Sequence, residues 1–207
     1  MSYFPMLIEL QDKSCVIIGG GSVARRKVEV LSQFGAKLTV VAPEIAPDIK
    51  ALFSHPEEAC LERNFTKADL KGAALVVAAT SDSALNHEIA SLCKESGIPV
   101  NAVDQIEDCS FIFPAIAKQG EVVAAFSSGG QSPVITQYLK QMIEPYLTEN
   151  LGELAEGLGA IRDQVKTEIS TEAGRKAFYR EIFQIGLDKG HFPETEEVKE
   201  ALAKYRG

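Results

Sequence analysis

Residues Gly19-Gly20-Gly21-Ser22-Val23-Ala24 follow the spacing G-x-G-x-x-A, which lets a chain turn tightly from a strand into a helix over a bound pyrophosphate. Gly19 can make the tight turn, Gly21 keeps a Cβ out of the path of a phosphate, and Ala24 is small enough for close helix–sheet packing. The helix start at Ser22 and Val23 offers unpaired N–H groups and the positive end of a dipole to an anion. A ligand-free strand–helix turn is the plain alternative, and the fingerprint does not separate an enzyme from a sensor. The second strand of such a unit normally ends on an acid for the adenine ribose. Here it ends Val41-Ala42-Pro43-Glu44. Glu44 lies about two positions late, and backbone near Pro43 can serve instead. No arginine follows immediately to pair with a 2′-phosphate, so the pattern favours NAD over NADP.

Asp104 stands at the carboxyl end of a predicted parallel strand, where open α/β sheets place ligands, and a carboxylate there can accept a proton. A strand-end aspartate capping a turn is the competing reading. Ser127, Ser128, Gly129 and Gly130 form a second glycine-containing turn ahead of a helix; here the competing reading is an ordinary connection capped by Ser132. Arg25, Arg26 and Lys27 begin the first helix, where cations oppose the dipole. They read either as a solvated face or as neutralising an anion. His55, His87 and His191 are isolated, and His87 reads as a surface or packing residue. Cys15, Cys60, Cys93 and Cys109 form no CxxC pair and do not cluster with the histidines, so no preformed metal site is expected.

These residues must be positioned by strands and helices, and the apolar pattern supplies them. Cys15–Ile18, Leu38–Val41, Ala74–Ala79 and Pro99–Val103 read as strands. Ala74–Ala79 is continuously apolar, as a parallel strand covered on both faces requires. A helix follows the first strand, with Ala24, Val28 and Leu31 on one face. Another follows Asp82, which can cap it, with Leu85, Ile89, Leu92 and Cys93 as its stripe. Between them only a short helix near residues 47–54 and a weak strand around Leu61 are legible. This succession predicts a Rossmann-type α/β fold with a doubly wound parallel sheet. Beyond Asp104, Phe111-Ile112-Phe113 and residues 121–126 read as strands joined by the Lys118-Gln119-Gly120 turn, and from about Leu147 the pattern is helical. The expected division is a dinucleotide-binding domain over residues 1–113, a middle segment over 114–147 and a helical domain over 148–207.

With 45% hydrophobic and 24% charged residues in 207, the chain reads as an ordinary globular protein with one sizeable core and a smaller appendage. Its net charge of −8 argues against sequence-independent nucleic-acid binding, which depends on Lys and Arg at phosphates. Neither a secretion signal nor a membrane-length apolar run is legible, so a reduced, cytoplasmic protein with no membrane partner is expected.

The run from Gly19-Gly20-Gly21 through Val23-Ala24 to Arg26-Lys27 resembles the start of siroheme synthases and of their stand-alone relatives, the precorrin-2 dehydrogenases. Val77-Ala78-Ala79-Thr80, Asn86, Asn101-Ala102-Val103-Asp104, residues 110–115 and Ser127-Ser128-Gly129-Gly130-Gln131-Ser132-Pro133 continue the similarity over essentially the whole chain. The resemblance implies an NAD-dependent enzyme that oxidises precorrin-2 to sirohydrochlorin in siroheme biosynthesis. Many members then act as ferrochelatase, inserting Fe²⁺ as a second substrate; others only dehydrogenate. It implies Thr80 among the cofactor-binding residues and Asp104 as the catalytic one, implicated in chelation also. Because precorrin-2 carries eight carboxylates, it suggests the Ser127–Gly130 turn as substrate-binding, with Ser128 in contact. It further implies a homodimer joined by the middle segment and a helical domain closing over the active-site cleft. Two rivals share the first half: another dehydrogenase on this fold, and a non-catalytic nucleotide-sensing module.

Overall fold

The computed structural model describes residues 3–206, and these divide into two compact units, one ending at Phe113 and one beginning at Pro114. In the first unit β1 (Ser14–Ile18), β2 (Lys37–Ala42), β3 (Cys60–Glu62), β4 (Leu75–Ala78) and β5 (Val100–Ala102) form one parallel sheet in the order β3-β2-β1-β4-β5. The chain winds outward from β1 to one edge, then returns to β4 and winds to the other. The switch point therefore lies between β1 and β4, where open α/β sheets bind ligands.

Alternation of side chains across the pleat assigns the strands to two cores. Cys15 and Ile17 of β1, with Val40 of β2 and Val77 of β4, pack against Ala24, Val28 and Leu31 of α1 (Ser22–Ser32) and Ile49 of α2 (Pro47–Lys50). Val16, Ile18, Val76 and Ala78 face the other way, onto Ile89, Ala90 and Cys93 of α4 (Ser83–Glu95). Both faces are covered, which is why Leu75–Ala78 is apolar throughout and wholly buried. The doubly wound α/β fold expected from the pattern is thus the fold observed. Asp82 caps α4 as its position suggested, Oδ1 accepting from the N–H groups of Ala84 and Leu85 at 2.9 and 3.1 Å. Pro56 opens a single helical turn, α3 (Pro56–Ala59).

Ahead of β4, Arg63 grips Asp69 through both guanidinium nitrogens, at 2.8 and 2.5 Å. That bond, chiefly, with the Thr66 N–H, holds the Asp69 carboxyl at about 2 against an ordinary 3.8. A carboxyl depressed on folding stabilises the protein fully above its unfolded value and loses that contribution as pH falls through the folded one. Asp69→Asn is therefore expected to lower the melting temperature at neutral pH. It should also flatten the decline between about pH 4 and 2, which a pH series of thermal melts measures.

The second unit opens with an antiparallel hairpin, β6 (Ala115–Gln119) and β7 (Val122–Phe126). The turn expected at Lys118-Gln119-Gly120 lies instead at Gly120 and Glu121, because Lys118 and Gln119 still pair with Val123 and Val122, and the strand before it is Ala115–Gln119 rather than Phe111–Phe113. Residues 111–113 make no ladder. The Phe111 carbonyl accepts from the Asn101 side chain at 3.1 Å, and the Phe111 and Phe113 rings pack on each other at 5.2 Å and against the first core. An apolar triplet that serves as core filler is indistinguishable by pattern from a short buried strand. After α5 (Pro133–Ile143) come α6 (Glu149–Ala160), α7 (Arg162–Glu168), α8 (Glu172–Lys189) and α9 (Thr195–Tyr205). Val165, Ile169, Phe178, Ile182, Ala201 and Leu202 form the core of these last helices. None of the described helices is long and apolar enough to cross a membrane.

Candidate functional site

At the carboxyl edge of the sheet three backbone bonds carry the ladder past the strand ends. Gly19 N–H donates to the Val41 carbonyl at 2.9 Å, Ala79 N–H to Ile18 at 2.7 Å, and Val103 N–H to Ala78 at 2.9 Å. The loops after β1, β2, β4 and β5 are thereby set side by side. These loops hold Gly19–Ser22, Pro43–Glu44, Thr80 and Asp104.

The three consecutive glycines have different reasons. Gly19 has φ +134°, and a Cβ there would overlap the Ala79 carbonyl. A Cβ on Gly20 would overlap the Glu44 carbonyl, while the Gly20 carbonyl accepts from Ala46 N–H at 3.0 Å. Gly21, with an ordinary φ of −100°, has nothing within 4 Å of its missing Cβ. Gly21 is also the N-cap of α1, and no side chain caps that helix end. Two glycines are therefore demanded by neighbouring backbone, and the third borders open space beside uncapped N–H groups. This is a cradle that a Cβ would fill, and it fits a dinucleotide pyrophosphate.

The Glu44 main chain runs close to Gly20 and is followed by the Ala46 N–H bond to the Gly20 carbonyl, while the Glu44 side chain is exposed, as is Pro43. Glu62 at the end of β3 braces the same loop: Oε1 accepts from Ile45 N–H at 3.3 Å and Oε2 pairs with Lys50 at 2.9 Å. These two contacts, that with Lys50 first, lower the Glu62 carboxyl. Nothing in sequence flags Glu62, because a carboxylate that supports a loop has no motif. Thr80 is held by buried Asn86, whose Oδ1 accepts from the Thr80 hydroxyl at 2.8 Å and its N–H at 3.2 Å.

Asp104 has φ +61°, left-handed backbone that Asp adopts more readily than most side chains but at a cost. Its carboxylate is exposed and makes no hydrogen bond or ion pair among the described residues, so it caps nothing. The loop behind it is tied to α4 at three points. Gln105 Nε2 donates to the Ser83 carbonyl at 3.1 Å, Lys94 Nζ to the Glu107 carbonyl at 3.1 Å, and His87 Nδ1 meets the Asp108 carboxylate at 2.7 Å. Asp108 is buried. Cys109 Sγ lies 3.2 Å from the Ala102 N–H and turns the chain back along β5. His87 thus does more than cover surface, and only its acidic partner, distant in sequence, reveals it. His87→Ala is expected to speed amide exchange in residues 105–109 by about tenfold, an opening cost near 1.4 kcal/mol. Exchange in β1 and β4 should stay unchanged in the same mass-spectrometric experiment.

The basic start of α1 resolves into separate roles. Arg25 pairs with Glu29 at 3.0 Å and Asp48 at 3.3 Å. Lys27 turns inward, its ammonium 3.7 Å from the centre of the Phe113 ring, and burial lowers its affinity for a proton. Arg26 is exposed and meets no carboxylate among the described residues. Burial raises all four thiols, Cys93 to about 11, so they stay protonated at neutral pH and are poor nucleophiles.

In the second unit Gly129 and Gly130 have φ +64° and +84°. Ser128 Oγ accepts from Ser132 N–H at 2.9 Å and lies 3.1 Å from the Ser132 carbonyl, so this hydroxyl braces the turn. Ser127 Oγ accepts from Gly129 N–H at 3.1 Å. Ser132 caps α5 through Ile135 N–H, with Pro133 in the first helical position.

The chain is 38% identical over 204 residues to a siroheme synthase of Psychrobacter cryohalolentis, covering 99% of this chain and 39% of that protein. A siroheme synthase of Ectopseudomonas mendocina is 38% identical over 206 residues, 100% of this chain and 44% of that protein. The resemblance read from the motifs is therefore met by whole-chain similarity, while the chain spans about two fifths of the length of these curated relatives. Among solved structures, one titled "SirC, precorrin-2 dehydrogenase" superimposes with a TM-score of 0.77 at 22% identity over 98% of both chains, a likeness of fold. A family model described as NAD(P)-binding matches residues 6–115, the stretch that contains the parallel sheet, the glycine cradle and Asp104. The chain belongs to this NAD(P)-binding family.

Proposed function

We propose that this protein oxidises precorrin-2 to sirohydrochlorin, with NAD⁺ held at the carboxyl edge of the sheet. The observation that carries the proposal is the presence of two features at the same carboxyl edge of the sheet, on the loops after β1 and β5 with the β4 loop between them. One is the open cradle at Gly21; the other is a carboxylate, Asp104, held in left-handed backbone with no partner among the described residues to neutralise it. The similarity to siroheme synthases supplies the substrate class.

In this reading Gly19 and Gly21 with the N–H groups of Ser22 and Val23 hold the pyrophosphate, Pro43 and Glu44 border the adenine ribose, and Thr80 lines the edge between β1 and β4. The exposed Glu44 carboxylate would repel a 2′-phosphate, which favours NAD over NADP. Bound nicotinamide supplies a hydride acceptor. The substrate must also lose a proton, and the Asp104 carboxylate takes it. The backbone of the Ser127–Gly130 turn receives substrate carboxylates, Ser127 and Ser128 acting chiefly to hold the turn's shape. Asp104 would equally accept pyrrole N–H protons if Fe²⁺ enters the product as a second substrate.

Dimerisation belongs to the same proposal. Val134, Ile135, Tyr138, Leu139, Met142 and Ile143 of α5 are all exposed and fall at helical spacing along one side, a larger apolar stripe than a solvated helix keeps. A second copy of the chain covers it. Tyr138→Glu is expected to convert a dimer to a monomer in sedimentation velocity.

The decisive assay incubates the protein anaerobically with precorrin-2 and either NAD⁺ or NADP⁺. Sirohydrochlorin absorbance should appear with NAD⁺, and its absence with both coenzymes would refute the proposal. Adding Fe²⁺ afterwards tests for chelation.

A further inference from the structure

Helix α8 carries a second, cation-bearing stripe beside the one that faces the core, and Tyr179 on it packs partly against that core. Phe178 and Ile182 are fully buried. Arg175, Lys176, Tyr179, Arg180 and Phe183 recur at helical spacing on another side of the helix. With Leu158 of α6 they line a shallow groove that lies open to solvent.

The charge of this groove runs against that of the molecule. The chain has a net charge of −8, and from Pro114 onward it holds 14 Asp and Glu against 11 Lys and Arg. Lys140, Lys189, Lys199, Lys204 and Arg206 are each matched to a carboxylate. Arg175, Lys176 and Arg180 are matched to none among the described residues. Arg175 Nη1 donates to the carbonyls of Ile169 and Ser170 at 2.9 and 2.8 Å, which fixes its guanidinium and leaves other N–H groups available. Glu181, the next acid on α8, is committed to Lys204 at 2.7 Å and Tyr205 at 2.6 Å. Glu172 also lines the groove, whose lining therefore carries three cations and one carboxylate.

Three cations without carboxylate partners around an aromatic and aliphatic floor complement a ligand with a flat apolar body and several peripheral anions. We infer that this groove binds the tetrapyrrole substrate class, carboxylates on Arg175, Lys176 and Arg180 and the macrocycle against Tyr179, Phe183 and Leu158. The inference rests on the substrate proposed above and adds a binding site for it within the helical part of the chain. Guanidinium–carboxylate pairs orient as well as attract, because the planar fork matches the carboxylate. The aromatic rings contribute area at little entropic cost. A single-stranded nucleic acid offers similar chemistry, but its phosphates would be repelled by the acidic remainder of the surface.

The test titrates the full chain with uroporphyrin III, an octacarboxylate porphyrin, following porphyrin fluorescence. The variant is the double substitution Lys176→Glu with Arg180→Glu, both exposed positions whose change should leave the unfolding midpoint in place. The variant is expected to bind uroporphyrin about tenfold or more weakly, with NADH affinity unchanged. Wild type should bind a porphyrin with half as many carboxylates less tightly, and a short oligonucleotide should not displace the octacarboxylate. Equal uroporphyrin affinity in variant and wild type overturns the groove, as does displacement by the oligonucleotide. Precorrin-2 turnover separates this inference from the function on which it rests. A wild type that turns over, with a variant of unchanged KM, sinks the groove alone. A wild type that does not turn over sinks the substrate class itself.

Discussion

Asp104→Asn lowers precorrin-2 oxidation by about 10²–10⁴-fold, the range for losing a positioned general base, while NADH binding and the melting temperature stay near wild type. Asparagine is the informative substitution because the backbone here has φ +61°. Asn enters left-handed backbone at least as readily as Asp, whereas alanine adds a conformational penalty of roughly 1–2 kcal/mol. A defect in Asp104→Ala would therefore mix lost chemistry with a shifted loop. The asparagine variant keeps the shape and removes only the ability to take a proton. Steady-state turnover alongside coenzyme titration decides the matter: full activity in Asp104→Asn removes this carboxylate from the mechanism.

Gly21→Ala carries the second large effect. No atom lies within 4 Å of the added methyl, and φ is −100°, so neither overlap nor strain opposes it. Alanine is a poorer N-cap than glycine, which costs on the order of 0.5–1 kcal/mol, or a few degrees of melting temperature at this length. Coenzyme affinity should nevertheless fall about tenfold or more, because the methyl occupies the approach of the pyrophosphate. Gly20→Ala behaves oppositely. Its methyl must displace the Glu44 carbonyl, an overpacking cost of about 1–3 kcal/mol or more, so the unit destabilises whether or not coenzyme is present. Calorimetric titration of both variants with NADH, beside thermal melts, distinguishes a glycine kept for ligand from one kept for packing. Undiminished coenzyme affinity in Gly21→Ala would mean that the cradle is not where the phosphates lie.

The parallel sheet was legible because its strands are buried on both faces and its helices on one, and these two periodicities survive in sequence. Asp82 and Pro133 were legible because capping is local chemistry. Phe111–Phe113 misled because two rings packing on each other look like a strand until a ladder partner is sought. Glu62, the Asn86–Thr80 contact and the His87–Asp108 pair escaped for a different reason. Each supports a loop by a contact between residues separated by several to many positions, and no spacing rule encodes such a contact. Asp104 was identified by its place at a strand end, whereas its left-handed backbone could not be, since Asp carries no obligatory turn signature. The separate roles of Gly19, Gly20 and Gly21 are likewise invisible in a run of identical letters.

The bond from Ala46 N–H to the Gly20 carbonyl, with Gly20 leaving room for the Glu44 carbonyl, bears on how coenzyme preference could change. With its main chain lying against the glycine turn and its carboxylate free in solvent, position 44 is an interchangeable tip on a fixed mount. A basic residue there could greet an extra phosphate without disturbing the cradle beneath it. Discrimination between the two coenzymes would then be adjustable at one site, independently of stability.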